Sequence, residues 1–270
     1  MFYPVPSTDS PSGRPASTYA VVVLTPSESK RLLARAVVAL PEVLWARERG
    51  RVIVARGSTT AFVAEELLGV NVSKGAYCAG LIARGELRVN PEHLMLPPFV
   101  LVDGRVGAES YSEALSNFAA DDVLIKSANA VDPQGNAGVL MASDVGGTIG
   151  AALPIVVPRG AHLIMPVGLE KLVTSVTEAS HKLGIGRCKF ATGWRVALMP
   201  VVNALVVTEV QALNILAGVG ATHVASGGIG GSEGSVVLAL EGGDEQLERA
   251  FRLVQSVKGE PPVREPEEPA

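Results

Sequence analysis

RVIVARGSTTAFVAEELLG, residues 51–69, is the stretch from which the fold is read. Arg51–Ala55 is a short apolar run rich in β-branched residues and reads as a buried strand. It passes without a linker into Arg56-Gly57-Ser58-Thr59-Thr60. Ala61–Leu68 then reads as a helix, with Gly69 as its C′ stop. A strand that turns directly into a helix leaves the first helical amides unpaired, at the positive end of the helix dipole. Gly57 lets a ligand approach the backbone, three hydroxyls offer hydrogen bonds, and Arg56 adds a fork of donors. Arg56, Gly57, Ser58, Thr59 and Thr60 therefore form a candidate cradle for a phosphate or carboxylate. Ordinary N-capping favours Ser and Thr at the same places, and no Walker-type Gly-Lys-Ser/Thr is present.

The same alternation extends outward on both sides. Upstream, Tyr19–Leu24 reads as a strand. Thr25, Pro26 and Glu28 form a capping box with proline at the first helical position, and Pro41 divides the helical stretch that follows. Downstream come the apolar FVLV before the turn Asp103-Gly104, a helix over Glu109–Phe118, a strand over Asp122–Lys126, a strand over Ala161–Pro166 and a helix over Gly168–Glu178. This order predicts an α/β fold, a mostly parallel sheet flanked by helices. From Val201 the order becomes strand, helix (capped by Thr208 and Gln211), a hairpin around Gly227–Gly234, and a helix over Asp244–Lys258. That order predicts a C-terminal ferredoxin-like α+β unit. The expected organisation is a flexible segment 1–18, an α/β anion-binding domain 19–195, a ferredoxin-like unit 196–258 and a flexible acidic tail 259–270 carrying Glu265, Glu267 and Glu268. A single extended core shared by both folded parts is the alternative.

Composition removes several classes of function. The 270 residues carry 23 Lys+Arg and 27 Asp+Glu, a net charge of −4 with no basic block, which argues against nucleic acid as a partner. Cys78 and Cys188 make no disulfide scaffold, and the four histidines show no ligand spacing, so neither metal nor cofactor is expected. No apolar run is long enough to span a bilayer, and residues 1–18 lack the apolar core of a secretory signal. The expectation is a cytoplasmic protein with no membrane partner. With 29 Gly and only 4 % aromatics, the core must come from aliphatic side chains, and glycines must serve turns and close backbone approaches.

Two more loops could carry chemistry. Lys126-Ser127-Ala128-Asn129-Ala130-Val131-Asp132-Pro133-Gln134-Gly135-Asn136 sits at the carboxyl end of a strand, where open α/β sheets keep ligand crevices. Lys126 is the nearest cation, with Asn129, Asp132 and Asn136 as short polar groups; Asp-Pro-Gln-Gly-Asn is also good turn chemistry on its own. In Ser143-Asp144-Val145-Gly146-Gly147-Thr148, the residues Gly146, Gly147 and Thr148 open another helix, and Asp144 is a candidate general base. Glu233 is the single reactive side chain of the glycine-rich hairpin. Cys78 and Cys188 read as structural thiols.

Taken together, residues 20–180 resemble the superfamily of ribose-5-phosphate isomerases and class I CoA transferases. The isomerases carry a Gly-x-Gly-Ser-Thr phosphate loop; here Arg56 takes the x position, Gly57-Ser58-Thr59 match, and Ala55 replaces the first glycine. Their Asp-Gly-Ala-Asp-Glu-Val-Asp-Pro segment aligns with Lys126–Pro133, where Ala128, Val131, Asp132 and Pro133 match and the acidic positions hold Lys126, Asn129 and Ala130. Asp132-Pro133-Gln134-Gly135-Asn136 is similar to the transferases' Asp-Pro-x-Gly-Asn, and Ser232-Glu233-Gly234 to their glutamate turn. The resemblance implies the fold and the anion loop, and a divergent member without the usual catalytic acids. The C-terminal unit resembles ferredoxin-like shell and sensing modules, which implies a homo-oligomer. The leading reading is an isomerase- or CoA-transferase-like protein that takes a small anionic metabolite, a sugar phosphate or an acyl-CoA-like compound. Lys126 would stabilise negative charge, and Asp132 or Asp144 would move the proton. The competing reading is a non-catalytic metabolite-sensing or assembly protein that retains the fold.

Overall fold

A computed structural model of the chain describes residues 1–6 and 19–266. In chain order the first elements are β1 (Tyr19–Leu24), α1 (Pro26–Val38), α2 (Pro41–Arg49), β2 (Arg51–Val54), α3 (Ser58–Leu68), β3 (Gly80–Ala83), β4 (Glu86–Val89), β5 (Phe99–Val102), β6 (Arg105–Val106) and α4 (Tyr111–Ser116). Then come β7 (Val123–Ile125), β8 (Ala130–Val131), β9 (Ala137–Met141), α5 (Gly147–Arg159), β10 (His162–Pro166), α6 (Val176–Lys182) and β11 (Ala197–Val201). The last are β12 (Leu205–Val207), α7 (Glu209–Ala217), β13 (Gly220–Gly227), β14 (Ser235–Glu241) and α8 (Asp244–Gln255).

The α/β class holds. The centre is a six-stranded sheet in the order β12-β10-β7-β2-β5-β6. β12, β10, β7 and β2 run parallel, while β5 and β6 run antiparallel. The other sheets among the described residues, β1-β14-β13, β11-β9-β8 and β3-β4, are antiparallel throughout. The expectation of a mostly parallel sheet is thus corrected to a mixed one. Part of the reason is local. Arg84-Gly85 and Asp103-Gly104 form two-residue turns with positive φ at both positions, and such turns join only antiparallel neighbours.

The anticipated β-α-β-β-α unit is corrected as well. Its first strand, β12, lies against β10 in the central sheet, whereas β13 and β14 pair with β1 at the other end of the chain. β1 and β14 match along six residues, from Tyr19 opposite Glu241 to Leu24 opposite Val236. One buried cluster joins Leu32, Phe62, Leu213, Leu238 and Val254, so the strands after residue 196 share a core with α1 and α3.

Strand alternation sorts the central sheet into two faces. Val52, Val54, Val123 and Ile125 point toward α1 and α3, while Ile53, Leu124 and Leu163 point toward α4 and α5. Capping follows the sequence closely. Thr25 with Glu28, and Thr208 with Gln211, form the expected capping boxes, and Pro41 opens α2. Gly168–Glu178 differs from the expected helix: a single 3-10 turn over Leu169–Lys171 precedes α6.

The ends are also tied down more than expected. The Tyr3 amide donates to Val206 O at 2.7 Å and the Val206 amide to Met1 O at 2.9 Å, so the first residues run beside β12. The rest of the segment expected to be flexible, residues 7–18, lies outside the described residues, as do Glu267 and Glu268. Glu265 is not a solvated tail residue, because it pairs with Arg84 and Arg88 at 2.9 and 2.8 Å.

Arg31 is the hub between α1, α3 and the C-terminal segment. It pairs with Glu65, Glu66 and Glu260 at 2.6, 3.0 and 2.9 Å, with its guanidinium 4.8 Å from the Phe62 ring centroid. Its side chain is 14 % exposed, so removing it strands carboxylates that are largely out of water. Arg31→Met is expected to lower stability by roughly 2–3 kcal/mol, below the full cost of breaking a wholly buried pair. Urea unfolding measures this, and a loss under ~0.5 kcal/mol would show that the network contributes nothing.

Candidate functional site

The parallel strands β2 and β7 end side by side, next to β10, which continues to Pro166. Val54 is level with Ile125, and Ile125 with Ile164. The ladder continues one step further, with the Ala55 amide donating to Ile125 O at 2.9 Å and the Lys126 amide to Ile164 O at 3.0 Å. Each strand exit therefore brings a cation to the same end of the sheet: Arg56 after β2, Lys126 after β7, and Lys171 in the 3-10 turn after β10.

All three line one cavity of about 330 Å³. Gly57, Ser58, Ser127 and Asn129 complete the strand-exit side. Gly146, Gly147 and Thr148, at the start of α5, form a second edge. The β3-β4 hairpin contributes Leu81, Ile82, Leu87 and Arg88, and Trp194 stands beside it. Among the described residues no Asp or Glu lines this cavity.

The β2–α3 turn is rigid. The Gly57 amide donates to Tyr77 O at 2.8 Å, Tyr77 stacks on Phe99, and the Tyr77 hydroxyl donates to Val54 O. A side chain at Gly57 would meet Ser127 Oγ at 2.3 Å, so the two loops approach closely here and Ser127 would have to turn away to admit one. Neither α3 nor α5 has a side-chain N-cap, and Gly57 and Gly146 hold the cap positions. Gly146 has φ 81°, a left-handed conformation that favours glycine. Two helix starts with positive dipole ends thus open on a cavity that already holds cations.

The amines are held by backbone rather than by carboxylates. Lys126 Nζ donates to Arg56 O at 3.5 Å, Lys171 Nζ to Ala128 O at 3.1 Å, and Arg56 Nε to Leu96 O at 2.6 Å. Burial, aided by the charge of Lys171 and opposed by Cys78, pushes the Lys126 ammonium down to about 8. Burial and then Lys30 push Lys171 down to about 8, against Glu170 and Glu209. Burial raises the Cys78 thiol to about 11, and its Sγ donates to Lys74 O at 3.3 Å, which keeps it an inert structural group.

The structure brings together Arg56, Gly57, Ser58, Lys126, Asn129, Gly146, Gly147 and Thr148. It places the other expected residues elsewhere. Thr59 and Thr60 are fully buried behind the cavity wall, and Thr60 Oγ1 donates to Gly57 O at 3.0 Å. Asp144 is exposed beyond the start of α5. Asp132 is spent on its own loop. Its Oδ1 accepts from the Gln134 and Asn136 amides at 3.1 and 2.9 Å, and its Oδ2 from Asn136 Nδ2 and the Val176 amide, both at 3.0 Å. Asn136 serves the same loop and does not reach the cavity. Glu233 accepts from the Gly231 amide in the exposed hairpin, away from the cavity. Lys171 and Arg88 were not anticipated. The rule that singled out Lys126, a cation just past a parallel strand, also points to Lys171; the helical reading of Gly168–Glu178 concealed it. No cluster of three or more His, Cys, Asp or Glu able to hold a metal occurs among the described residues. No helix among them is long and apolar enough to cross a membrane. No family model, curated protein or solved structure matches the chain.

Burial alone would raise the Asp132 carboxyl, yet the hydrogen bonds from Asn136, Val176 and Gln134 hold it below its ordinary value. Its stabilising contribution is therefore present above the unfolded value of about 3.9 and is lost as pH falls through that range. Asp132→Asn should cost about 1–3 kcal/mol at neutral pH and flatten the decline in stability between about pH 5 and 3. Chemical denaturation across pH measures both. A variant of unchanged stability would return Asp132 to the list of catalytic candidates.

Proposed function

We propose that the chain binds a small anionic metabolite in this cavity and acts on it in an isomerase- or transferase-like reaction. One observation carries the reading: Arg56, Lys126 and Lys171 meet at two uncapped helix starts in a cavity with no lining carboxylate among the described residues. Lys126 is buried and Arg56 and Lys171 are half-buried, and gathering cations partly out of water is costly unless an anion joins them. Backbone amides and ammonium groups are the donors that carboxylates and phosphates accept from.

Size and polarity narrow the class. About 330 Å³ is near the lower end of the usual ~300–1,000 Å³ for ligand pockets, enough to enclose a sugar phosphate. Only the acyl end of a CoA thioester would fit within it. Leu81, Ile82, Leu87 and Trp194 face the ligand's carbon skeleton, while the strand exits face its charge. Since Asp132 and Asp144 do not line the cavity, proton transfer falls to an amine, with Lys126 also stabilising negative charge. A metabolite sensor without turnover is the second reading, and the missing lining carboxylate favours it. The resemblance to the isomerase and CoA-transferase superfamily agrees with either reading, and a homo-oligomer remains part of the proposal.

A thermal-shift screen of sugar phosphates, oxo acids and CoA esters tests the site. A ligand at a hundred times its Kd should raise Tm by roughly 5 °C. Lys126→Met should weaken that ligand about ten- to a hundred-fold. Anion binding needs the ammonium forms, so affinity should fall as pH rises through about 8. Undiminished shifts in Lys126→Met, or affinity rising above pH 8, would overturn the reading. Product formation from a hit separates enzyme from sensor.

A further inference from the structure

We propose that Lys126 is a nucleophile that captures the carbonyl carbon of an aldehyde or ketone carrying a phosphate or carboxylate, holding it as an imine. The inference rests on the anion site above and names its substrate class. Lys126 lines the cavity at the end of β7, is 9 % exposed, and makes no ion pair among the described residues. A desolvated lysine beside a second cation is poised to shed its proton and attack carbonyls. The two lysines differ in their surroundings. Lys126 is buried at the end of β7, whereas Lys171 is only half-buried and has Lys30, Glu170 and Glu209 acting on it. The attacking amine is therefore assigned to Lys126, the more enclosed of the two, and proton donation to Lys171. Arg56, the Ser58 amide and the start of α5 remain for the ligand's anion.

The chemistry closes with these two side chains. The Lys126 amine adds to the carbonyl carbon, and a proton moves from nitrogen to oxygen to give the carbinolamine. The C–O bond then breaks as Lys171 protonates the departing oxygen, which leaves as water. Lys126 is left as an iminium and Lys171 as a neutral amine. That amine can take a proton from the carbon next to the iminium, a task for which no carboxylate lines the cavity among the described residues. No oxidant, reductant or further reactant is consumed.

Borohydride trapping on the intact protein tests the proposal, with glyceraldehyde 3-phosphate and glyoxylate as probes. One is anionic through phosphate and the other through carboxylate. Reduction should leave a single stable adduct per chain, mapped to Lys126 by peptide mass spectrometry, and the probe that reacts at the lower concentration identifies the preferred anion. Lys126→Met should lose the adduct. Lys126→Arg keeps the charge, so it should still bind glycerol 3-phosphate, which has no carbonyl, while also losing the adduct. Lys171→Met should slow trapping without moving it to another lysine. Label spread over surface lysines, or equal label in Lys126→Arg, would overturn the imine. If glycerol 3-phosphate stabilises the protein while neither aldehyde is trapped at Lys126, the imine falls and the anion site stands. If no anion stabilises the protein or protects Lys126, both fall.

Discussion

The site depends on the registration of three parallel strands. β2 and β7 stop at one level, beside Ile164 of β10, which runs on to Pro166, and the ladder bonds from Ala55 and Lys126 carry that register one residue past β2 and β7. The cations delivered at this end of the sheet are then held by backbone carbonyls: Arg56 by Leu96 O, Lys126 by Arg56 O and Lys171 by Ala128 O. In an open α/β sheet this is where a ligand crevice forms. Here the polar side of the crevice is built from donors, with no carboxylate among the described residues that line it. The positive ends of α3 and α5 add to the cations rather than offsetting them.

The acids of the chain are employed elsewhere. Glu65, Glu66 and Glu260 surround Arg31, Glu170 pairs with Lys30, and Asp132 collects four hydrogen bonds that fix the β8–β9 loop and the start of α6. These carboxylates lock structure, and none lines the cavity among the described residues. Backbone carbonyls satisfy the amines geometrically, but a dipole does not neutralise a charge. The site therefore retains an electrostatic cost that an anion bound as proposed would remove, which would link stability to occupancy.

Much of this was legible in the chain, because the informative signals are local. RVIV followed by Arg-Gly-Ser-Thr-Thr specifies strand, turn and helix through nearest neighbours alone, and Thr25 with Glu28 completes a cap within three residues. What the sequence hid is pairing at a distance. Leu205–Val207 is as apolar as Ser235–Glu241, and nothing in either says that one joins β10 while the other joins β1. The β3-β4 hairpin alternates only between half-buried and exposed residues, so its period is faint. Asp132 shows the same limit at the site. Turn chemistry and a general base look alike in Asp-Pro-Gln-Gly-Asn, and the deciding donor, the Val176 amide, lies 44 residues away.

That weak hairpin gives the cavity its apolar side, and its anchoring joins the chain's far end to the site. The Leu87 amide donates to Thr192 O and the Trp194 amide to Leu87 O, at 2.9 and 2.8 Å, so one strand edge is pinned to the loop that presents Trp194. Gly193 makes this possible, since a side chain there would strike Leu87 O at 2.1 Å. On the hairpin itself, Glu265 holds Arg84 and Arg88, and Arg88 also lines the cavity. These ion pairs are partly exposed and individually contribute little to stability. Their consequence is electrostatic: Glu265 offsets Arg88, and Glu170 and Glu209 act on Lys171, while no carboxylate among the described residues offsets Lys126. Unmet positive charge therefore sits at the strand exits, and the proposed ligand would turn its anionic group to the sheet and its carbon skeleton to the hairpin.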